Sequence, residues 1–297
     1  MDELLLRVSD ALNRLPEGNH EIVCVDDGSS DSTLSRLIAL RSDYPLLRVV
    51  GLSRNFGHQA AVTAALDHAA GEVVLVMDGD LQDDPEALPR FIEEYKQGAD
   101  VVYAKRANRP EGPLKRFAYA LHYRLLATIS DSPVQVDSGD FALLSRRAVD
   151  LIREMPERQR YVRGLRAWIG LNQVGIDVDR GERFAGDSKY SFKALLSLAF
   201  DGVFAFSRVP LRAASIMGLG VVVAGLAYGA FVLVDRLAGG APQGFAALAL
   251  LQILFSGVLL LVLGVIGEYL GRIYDEVKRR PIYIVGKVWE GEQWTNR

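Results

Sequence analysis

The chain contains 297 residues, which is enough for one large domain or two small ones, and its formal net charge is −3 at pH 7. Because the balance is slightly acidic and the basic residues form no dominant run, nothing favours nucleic-acid binding. The single cysteine, Cys24, has no disulfide partner and lies within an apolar segment, which indicates a small core residue in a reducing compartment. Most charged residues precede Arg212 and residues 213–234 contain none, so a charged part is followed by an apolar one.

Hydrophobic spacing predicts alternating helices and strands in the first hundred residues. Leu4, Val8 and Leu12 recur at helical spacing and predict an amphipathic first helix. Strands are predicted at 21–25, 46–50, 73–77 and 100–104, and helices at 33–39, 58–70 and 85–97. The short links between them predict a parallel α/β layer. We expect the 73–77 strand, with five consecutive apolar residues, to be buried on both faces as in a parallel sheet.

Further elements follow with less regular links. Helices are predicted at 113–129, 146–154 and 159–169, and strands at 141–144 and 174–178. No internal repeat and no low-complexity segment is present, so we expect these elements to complete the same domain.

Two apolar segments, 213–234 and 245–267, are each long enough to cross a bilayer as a helix. The alternative is a pair of buried core helices. Basic residues flank the pair on its outer sides, with Arg208 and Arg212 before it and Arg272, Lys278, Arg279, Arg280 and Lys287 after it. Because the connecting loop contributes only Arg236, the positive-inside rule predicts a multi-pass protein of the cell (inner) membrane, with the α/β domain and both termini in the cytoplasm.

Two more segments, 195–206 and 269–277, have the broad apolar stripe of helices that lie flat on a membrane. Ordinary amphipathic core helices are the alternative for both. The predicted organisation has four parts: a cytoplasmic α/β domain over 1–190, an interfacial segment over 191–212, two transmembrane helices within 213–267 and a juxtamembrane tail over 268–297.

The most informative polar residues follow the 73–77 strand. Asp78-Gly79-Asp80 lies at its carboxyl end, where open α/β sheets bind ligands. Both carboxylates can turn toward one hard cation if the backbone bends at the glycine, and Gln82 adds a neutral oxygen. Asp84-Pro85 has the pattern of an N-cap followed by proline at the first helical position. The alternative is an acidic loop that only caps a helix.

Four motifs occur in order along the charged part of the chain. They are Val25-Asp26-Asp27-Gly28-Ser29-Ser30-Asp31-Ser32-Thr33, Ser53-Arg54-Asn55-Phe56-Gly57, Met77-Asp78-Gly79-Asp80-Leu81-Gln82 and Asp137-Ser138-Gly139-Asp140-Phe141. Each alone is weak, but the ordered set resembles a GT-A glycosyltransferase of family 2. Further along, Gly267-Glu268-Tyr269-Leu270-Gly271-Arg272-Ile273-Tyr274 and Arg280-Pro281 are similar to the polyprenyl-phosphate glycosyltransferases of that family, which include bactoprenol glucosyltransferases and dolichyl-phosphate mannose synthases. The resemblance covers essentially the whole chain.

The resemblance implies a Rossmann-like GT-A catalytic domain followed by a two-helix transmembrane hairpin. It also implies transfer of a sugar from a nucleotide sugar to undecaprenyl or dolichyl phosphate at the cytoplasmic membrane face. The product would be a lipid-phosphate-linked sugar for cell-envelope glycan modification. The expected partners are the nucleotide sugar, the polyprenyl phosphate and the membrane, without nucleic acid, and a homo-oligomer is left open.

The same resemblance implies site residues. Asp78, Asp80 and Gln82 would hold Mg²⁺ or Mn²⁺ on the donor diphosphate, where the metal stabilises the leaving oxygens. The nucleotide sugar would be bound by Asp26, Asp27, Asp31, Asn55, Gly57 and Asp78. We expect Gly57 to permit close backbone approach. As alternatives, Asp31 is only a helix cap, and Asn55-Phe56-Gly57 is an ordinary turn.

Basic and acidic residues later in the chain complete the expected site. Phosphate groups would be bound by Arg106, Arg163, Arg183 and Lys189. Arginine suits bidentate oxyanion contact and lysine acts as a point charge, although a solvated surface role is the alternative for each. Asp140 is the predicted catalytic carboxylate, with Asp137 second. Because the acceptor phosphate is already ionised, a strong base is hardly required, and Asp140 can instead orient the acceptor or a sugar hydroxyl.

Three other interpretations compete with that of a lipid-phosphate glycosyltransferase. Haloacid-dehalogenase-like phosphatases also place Asp-x-Asp at a strand end, but they have Thr or Val where Gln82 stands here. A membrane-anchored sugar-nucleotide-binding protein without activity is the second. A processive polysaccharide synthase is disfavoured, because two spans make a poor channel and the motif Gln-x-x-Arg-Trp is absent.

The sequence departs from the family pattern at its start. Family members open with an apolar strand that ends in Pro-x-Tyr-Asn-Glu, and the family places it between the strands predicted here at 21–25 and 73–77. Without it two inner strand edges lose their partner, which is costly for buried backbone groups. We therefore expect the functional protein to begin upstream of Met1. The alternative is that the two strands close up and pair directly.

Overall fold

The computed structural model describes residues 1–15, 18–106, 138–158, 160–178, 209–238 and 244–290. The chain divides into two compact units. The first contains the described residues up to 178 together with those from 280 onward. The second contains the two long apolar helices and ends at Arg279.

Most elements of the first unit begin and end within a few residues of their predicted positions. They are α1 (Asp2–Asn13), β1 (Ile22–Asp26), α2 (Thr33–Leu40), β2 (Leu47–Leu52), α3 (His58–His68), β3 (Val73–Val76), a 3₁₀ turn (Pro85–Ala87), α4 (Leu88–Lys96), β4 (Val101–Arg106), β5 (Ser138–Ser145), α5 (Arg146–Glu154), α6 (Val162–Trp168), β6 (Gln173–Val178) and β7 (Val285–Trp289). The helix predicted at 113–129 lies outside the described residues.

The strands form two sheets, with the orders β1-β2-β7 and β3-β5-β4-β6. Two pairs are parallel, β1 with β2 and β4 with β6. The other three pairs are antiparallel, β2 with β7, β3 with β5, and β4 with β5. The arrangement is therefore a mixed α/β fold, and the expectation of a parallel layer is wrong. The antiparallel partners β5 and β7 are contributed by late parts of the chain, which the local strand–helix alternation did not reveal.

Strand β3 differs from its prediction. All four of its residues are only partly buried, and within the described part of the chain it pairs with β5 alone. Val73 and Leu75 pack on one core cluster and Val74 and Val76 on another, so both faces are covered in part. The predicted parallel pairing is wrong, because β3 pairs antiparallel with β5. Strand β1 likewise has a partner only in β2, so the alternative in which β1 and β3 pair directly is also wrong.

Helix α1 packs on the cores of both sheets. Its residue Leu12 packs on the cluster that contains Phe91 and Leu143 and also on the one that contains Ile22 and Val49. Cys24 of β1 packs on the second cluster, and burial raises the pKa of its thiol to about 11, as expected for a core cysteine. That an upstream strand pairs with the free edges of β1 and β3 stays a prediction.

Strand β7 comes from the segment that follows the second apolar helix. The ring of Trp289 lies so close to Gly51 of β2 that a Cβ there would be 2.9 Å from it. Arg48 of β2 forms a salt bridge with Glu290, with Nε and Oε1 3.1 Å apart. The Tyr283 hydroxyl donates a hydrogen bond of 2.7 Å to Asp67. The tail predicted as a juxtamembrane segment thus returns to the first unit and extends its sheet.

The second unit contains α7 (Val209–Leu237) and α8 (Phe245–Val277). Candidate membrane spans of 27 residues each run over Leu211–Leu237 and Leu251–Val277, with a mean hydropathy of 2.2. At ~1.5 Å per residue such a helix is about 40 Å long, enough to cross a hydrocarbon core. Neither window is buried in the protein, so the alternative of buried core helices does not fit. The helix predicted at 269–277 continues α8 without a break, and the 195–206 segment lies outside the described residues.

Candidate active site

The loop after β3 is tightly folded around its acidic residues. The Asp78 N–H donates to Asp83 Oδ2 over 3.1 Å, and the Gln82 N–H donates to Asp80 Oδ1 over 3.1 Å. Leu81 has a φ of 62°, in the left-handed region that costs an L-residue ~1–2 kcal/mol. The fold thus keeps a strained backbone at the centre of the predicted cation-binding motif. Asp80 is exposed, and Gln82 is buried.

A cleft opens beside this loop and brings together several of the predicted residues. The polar side chains that line it include those of Asp78, Gln82, Asp84, Lys105, Asp140 and Arg163. Acidic and basic groups therefore meet in one place, as a site for a phosphorylated ligand and a cation requires. Lys105 belongs to β4, and its stem lies against Gly175 of β6, where an added Cβ would collide with its Cε.

Asp140 is placed in the cleft by an irregularity in β5. Tyr103 of β4 is opposite Ala142 and Lys105 is opposite Ser138, so three residues of β5 face the single residue Ala104. Such bulges re-aim side chains next to functional sites. The Asp140 side chain is only 13% exposed.

Arg163, on α6, holds the Asp140 carboxylate with two hydrogen bonds. Its Nε donates to Oδ1 over 3.2 Å and its Nη2 to Oδ2 over 3.0 Å. Burial by itself would raise the pKa of Asp140, but the hydrogen bonds to His58 and Arg163 prevail and hold this pKa well below its usual range. Asp140 is therefore an anion at neutral pH and a weak base, which favours an orienting role over a proton-accepting one.

His58 joins two of the predicted acids. Its Nε2 lies 3.5 Å from Asp140 Oδ2 and 3.8 Å from Asp78 Oδ1. The hydrogen bond to Asp140 raises the pKa of His58 despite partial burial, and the charge of Asp78 acts in the same direction. Nothing in the sequence singled out this histidine, because it has no metal-ligand spacing. Its place at the start of a helix directly after the Gly57 motif was the one available signal.

Asp27 binds backbone in this structure. Its Oδ1 accepts the Phe56 N–H over 2.7 Å and its Oδ2 accepts the Gly57 N–H over 2.8 Å. The loop between β1 and α2 is thereby joined to the one that starts α3. Contact between Asp27 and a nucleoside stays a prediction, since each carboxylate oxygen retains acceptor capacity.

The glycines of these two loops have different roles. At Gly28 a Cβ would lie 2.4 Å from the Arg54 carbonyl carbon, so the close backbone approach occurs there. Nothing lies within 4 Å of the Cβ position of Gly57, so its predicted close approach to a ligand stays a prediction. Gly57 is required by its φ of 99° at the N-cap of α3. Neighbouring Asn55 is exposed, and its carbonyl accepts a hydrogen bond from Arg54.

The remaining acids of the first motif also bind local backbone. Asp26 is 3% exposed and its Oδ2 accepts the Ser29 N–H over 3.1 Å, while its buried Oδ1 has no hydrogen-bond partner among the described residues. Asp31 Oδ1 accepts the Thr33 N–H over 2.9 Å at the start of α2. The hydrogen bond with the Thr33 side chain, and after it this backbone contact, lower the pKa of Asp31. The contact with the Thr33 N–H agrees with the capping alternative, and nucleotide binding by these residues stays a prediction.

Asp84 does not cap a helix with its side chain. Its carboxylate pairs instead with Arg7 of α1 over 2.8 Å, and Arg7 also binds Glu86. The N-cap prediction is therefore wrong for the side chain, although Pro85 does begin the 3₁₀ turn. The hydrogen bond from Arg7 lowers the pKa of Glu86 to about 2. Helix α1 is thus attached to the loop that carries the acidic residues.

Arg166 supports the cleft from inside the protein. It is 2% exposed, and its Nη2 donates to the Gly139 carbonyl over 3.2 Å, next to Asp140. Burial lowers the pKa of its guanidinium to about 10. This arginine therefore fixes the irregular part of β5 that carries Asp140.

The other predicted residues are less well defined by the structure. Asp137, Arg183 and Lys189 lie outside the described residues, as does the side chain of Arg106 at the end of β4. Their predicted roles stay predictions.

The acidic loop contains oxygen donors of the type that Mg²⁺ binds in proteins. No three His, Cys, Asp or Glu side chains of the described residues are grouped closely enough to hold a metal ion alone. Mg²⁺ commonly takes one or two carboxylates and completes its shell with substrate phosphates and water. Asp78, exposed Asp80 and the Gln82 amide oxygen are donors of the kind that such an incomplete site uses, and metal binding by them stays a prediction.

Comparison with known proteins settles the family. Residues 2–153 match Glycosyl transferase family 2. The chain belongs to glycosyltransferase family 2. It is therefore a glycosyltransferase with a mixed α/β, GT-A-like fold, and the phosphatase interpretation is wrong.

Relatives within this family cover nearly the whole chain. The uncharacterized glycosyltransferase YkcC of Bacillus subtilis is 42% identical over 287 residues, 96% of this chain and 88% of that protein. The SfII prophage-derived bactoprenol glucosyl transferase of Shigella flexneri is 41% identical over 273 residues, 91% of this chain and 88% of that protein. A prophage bactoprenol glucosyl transferase homolog of Escherichia coli is 40% identical over 270 residues, 90% and 88% respectively.

Proposed function

We propose that this glycosyltransferase moves a sugar from a nucleotide sugar to a polyprenyl phosphate at the cytoplasmic face of the cell membrane, for use in cell-envelope glycans. The observation that carries the proposal is the likeness to a bactoprenol glucosyl transferase at 41% identity over 91% of this chain. A match of that extent reaches beyond the α/β unit into the apolar helices, which suit a lipid acceptor. Bactoprenol-type acceptors are favoured by this likeness over dolichyl ones.

The cleft supplies the chemistry that the reaction needs. An acceptor phosphate oxygen would attack the anomeric carbon, the bond to the donor diphosphate would break, and the diphosphate would leave with the bonding electrons. Mg²⁺ or Mn²⁺ held by Asp78, Asp80 and Gln82 would supply neutralisation of that leaving charge. Lys105 adds an exposed cation at the cleft for phosphate oxygens.

Asp140 would orient the reactants in this scheme. Its anionic, Arg163-bound carboxylate can accept a hydrogen bond from a donor-sugar hydroxyl and keep the anomeric carbon in line with the acceptor. A general base is unnecessary, because a phosphate monoester is already ionised at neutral pH. Phosphate contact by Arg163 itself stays a prediction, since the structure has its guanidinium on Asp140.

The topology across the membrane is part of the proposal. Support comes from β7, which follows both apolar helices yet pairs with β2 of the α/β unit. If both helices cross the bilayer, the segments before and after them must then lie on the same side. The basic flanks of the helix pair support the cytoplasm as that side. This protein would accordingly be multi-pass with both ends cytoplasmic.

A donor and acceptor screen tests the proposal. The purified protein in detergent is incubated with a panel of UDP- and GDP-sugars and either undecaprenyl or dolichyl phosphate, with Mg²⁺ or Mn²⁺. We expect one donor to give a sugar-linked lipid phosphate, with the reaction stopped by EDTA. Donor binding without any lipid product from the whole panel would favour the inactive binding protein instead.

A further inference from the structure

The imidazole of His58 lies between two carboxylates that have separate roles in the proposed reaction. Its Nε2 is 3.5 Å from Asp140 Oδ2 and 3.8 Å from Asp78 Oδ1. Neither distance is that of a tight hydrogen bond, so a small shift of the ring can close either contact. Catalytic hydrogen bonds often shorten only once substrate is bound.

The fold fixes where this ring lies. Gly57, with its φ of 99°, ends the loop before α3, and its N–H and that of Phe56 are both held by Asp27. At the far end of the helix, Arg153 of α5 donates to the Asp67 carbonyl over 2.6 Å. The helix is thus restrained at both ends, and His58 is its first residue.

The charged groups around the His58 ring indicate its role. Asp140 is 13% exposed and Asp78 33%, and two anions that share one cleft repel each other most where water is excluded. Arg163 binds the Asp140 carboxylate through its Nε and Nη2. The His58 Nε2 reaches the same Oδ2 and is the atom that also approaches Asp78.

We propose that His58 is a positioning residue of the transfer reaction, which orients Asp140 together with Arg163 and keeps it apart from Asp78. The inference rests on the proposed function. Since His58 acts through carboxylates that contact the reacting sugar and the leaving group, its loss changes turnover more than donor affinity. What it contributes is an N–H donor of the right reach, so a side chain of similar length that retains a donor can replace it.

A matched pair of substitutions tests this. His58→Gln keeps an N–H donor at similar length, whereas His58→Met keeps the length but has no donor. His68→Met is the control, because His68 is the last residue of the same helix and lies outside the cleft. Each variant is purified in detergent, checked for an unchanged Tm, and assayed for kcat, donor KM and donor Kd by calorimetry.

The expected result is a kcat that falls ~10–100-fold in His58→Met, as for other orienting partners of functional groups. We expect His58→Gln to recover most of that loss, His68→Met to match wild type, and donor Kd to change less than about twofold. Equal kcat in wild type and His58→Met would overturn the proposal, as would a loss in His58→Gln as large as in His58→Met, or a loss confined to donor affinity. If wild type itself transfers no sugar, the proposed function fails first, which is a distinct outcome.

Discussion

Two acid-rich loops, one after β1 and one after β3, have similar compositions and different surroundings. In the first, Asp27 and Asp31 both accept backbone N–H groups of neighbouring segments. In the second, Asp78 lines the cleft beside His58. Asp140 of β5 lines the same cleft, where its carboxylate accepts a hydrogen bond from Arg163. A carboxylate such as Asp27, whose two oxygens both accept backbone N–H groups, holds loops together, whereas Asp78 and Asp140 face charged side chains at the cleft and are available for chemistry. Exposed Asp80 is intermediate, because its Oδ1 accepts the Gln82 N–H.

Removal of a carboxylate in the second loop should have the largest effect. In Asp80→Ala the charge on the leaving diphosphate loses a partner in the transition state, and we expect transfer to fall by ~10³-fold or more. Initial rates with saturating donor and lipid measure this. Asp43→Ala, at an exposed aspartate of α2's C-terminal turn, is the control. Full activity in Asp80→Ala, or equal wild-type activity in EDTA, would contradict the assignment.

Asp140→Asn should have the next largest effect. The amide keeps the size of the carboxylate but leaves the Arg163 guanidinium and the His58 ring without their anion, so we expect kcat to fall ~10²-fold. Because the partly buried Arg163 guanidinium loses its hydrogen-bonded carboxylate, Tm should fall as well. The measurement is kcat together with a thermal melt in detergent. A variant within a fewfold of wild-type kcat would remove Asp140 from the reaction.

Asp27→Asn tests the holding role in the first loop. An amide NH₂ cannot accept from both the Phe56 and Gly57 N–H groups, and the lost bond costs ~1–3 kcal/mol. We expect a lower Tm and a kcat reduced ~10-fold, because His58 follows directly on this loop. Calorimetry with the donor nucleotide decides between roles. If donor affinity falls while Tm is unchanged, Asp27 binds the nucleoside and the comparison between the loops fails.

The smallest predicted effect concerns acid stability. Arg7 lowers the pKa of Glu86 from 4.5 to about 2, so the stability from this pair is complete above pH 4.5 and is lost as the pH falls toward 2. Since the Glu86 side chain is 36% exposed, the contribution is below ~1 kcal/mol. Glu86→Gln should reduce the drop in Tm between pH 5 and pH 3, whereas Glu157→Gln, at another exposed glutamate, should not. An unchanged drop in Glu86→Gln would show that the pair does not stabilise the fold.

Local sequence patterns predicted most helices and strands, because their spacing and their glycines act over a few residues. The acidic motif after the 73–77 strand pointed to the cleft residues Asp78 and Gln82, whereas Asp140 and Arg163 followed from the family resemblance. The split of the sheet was not predictable in this way, since β7 reaches β2 from the far side of two apolar helices. His58 was missed for the same reason, because its contact with Asp140 joins residues 82 positions apart.

Transfer of sugar to a lipid phosphate by the acidic cleft is tested by mass spectrometry of the lipid extract. The protein is first incubated with undecaprenyl phosphate, the accepted nucleotide sugar and Mg²⁺. We expect undecaprenyl phosphate heavier by one sugar residue with wild type, and at least ~10²-fold less of it with Asp140→Asn in the same time. Unchanged undecaprenyl phosphate with wild type, or equal product from Asp140→Asn, would contradict it.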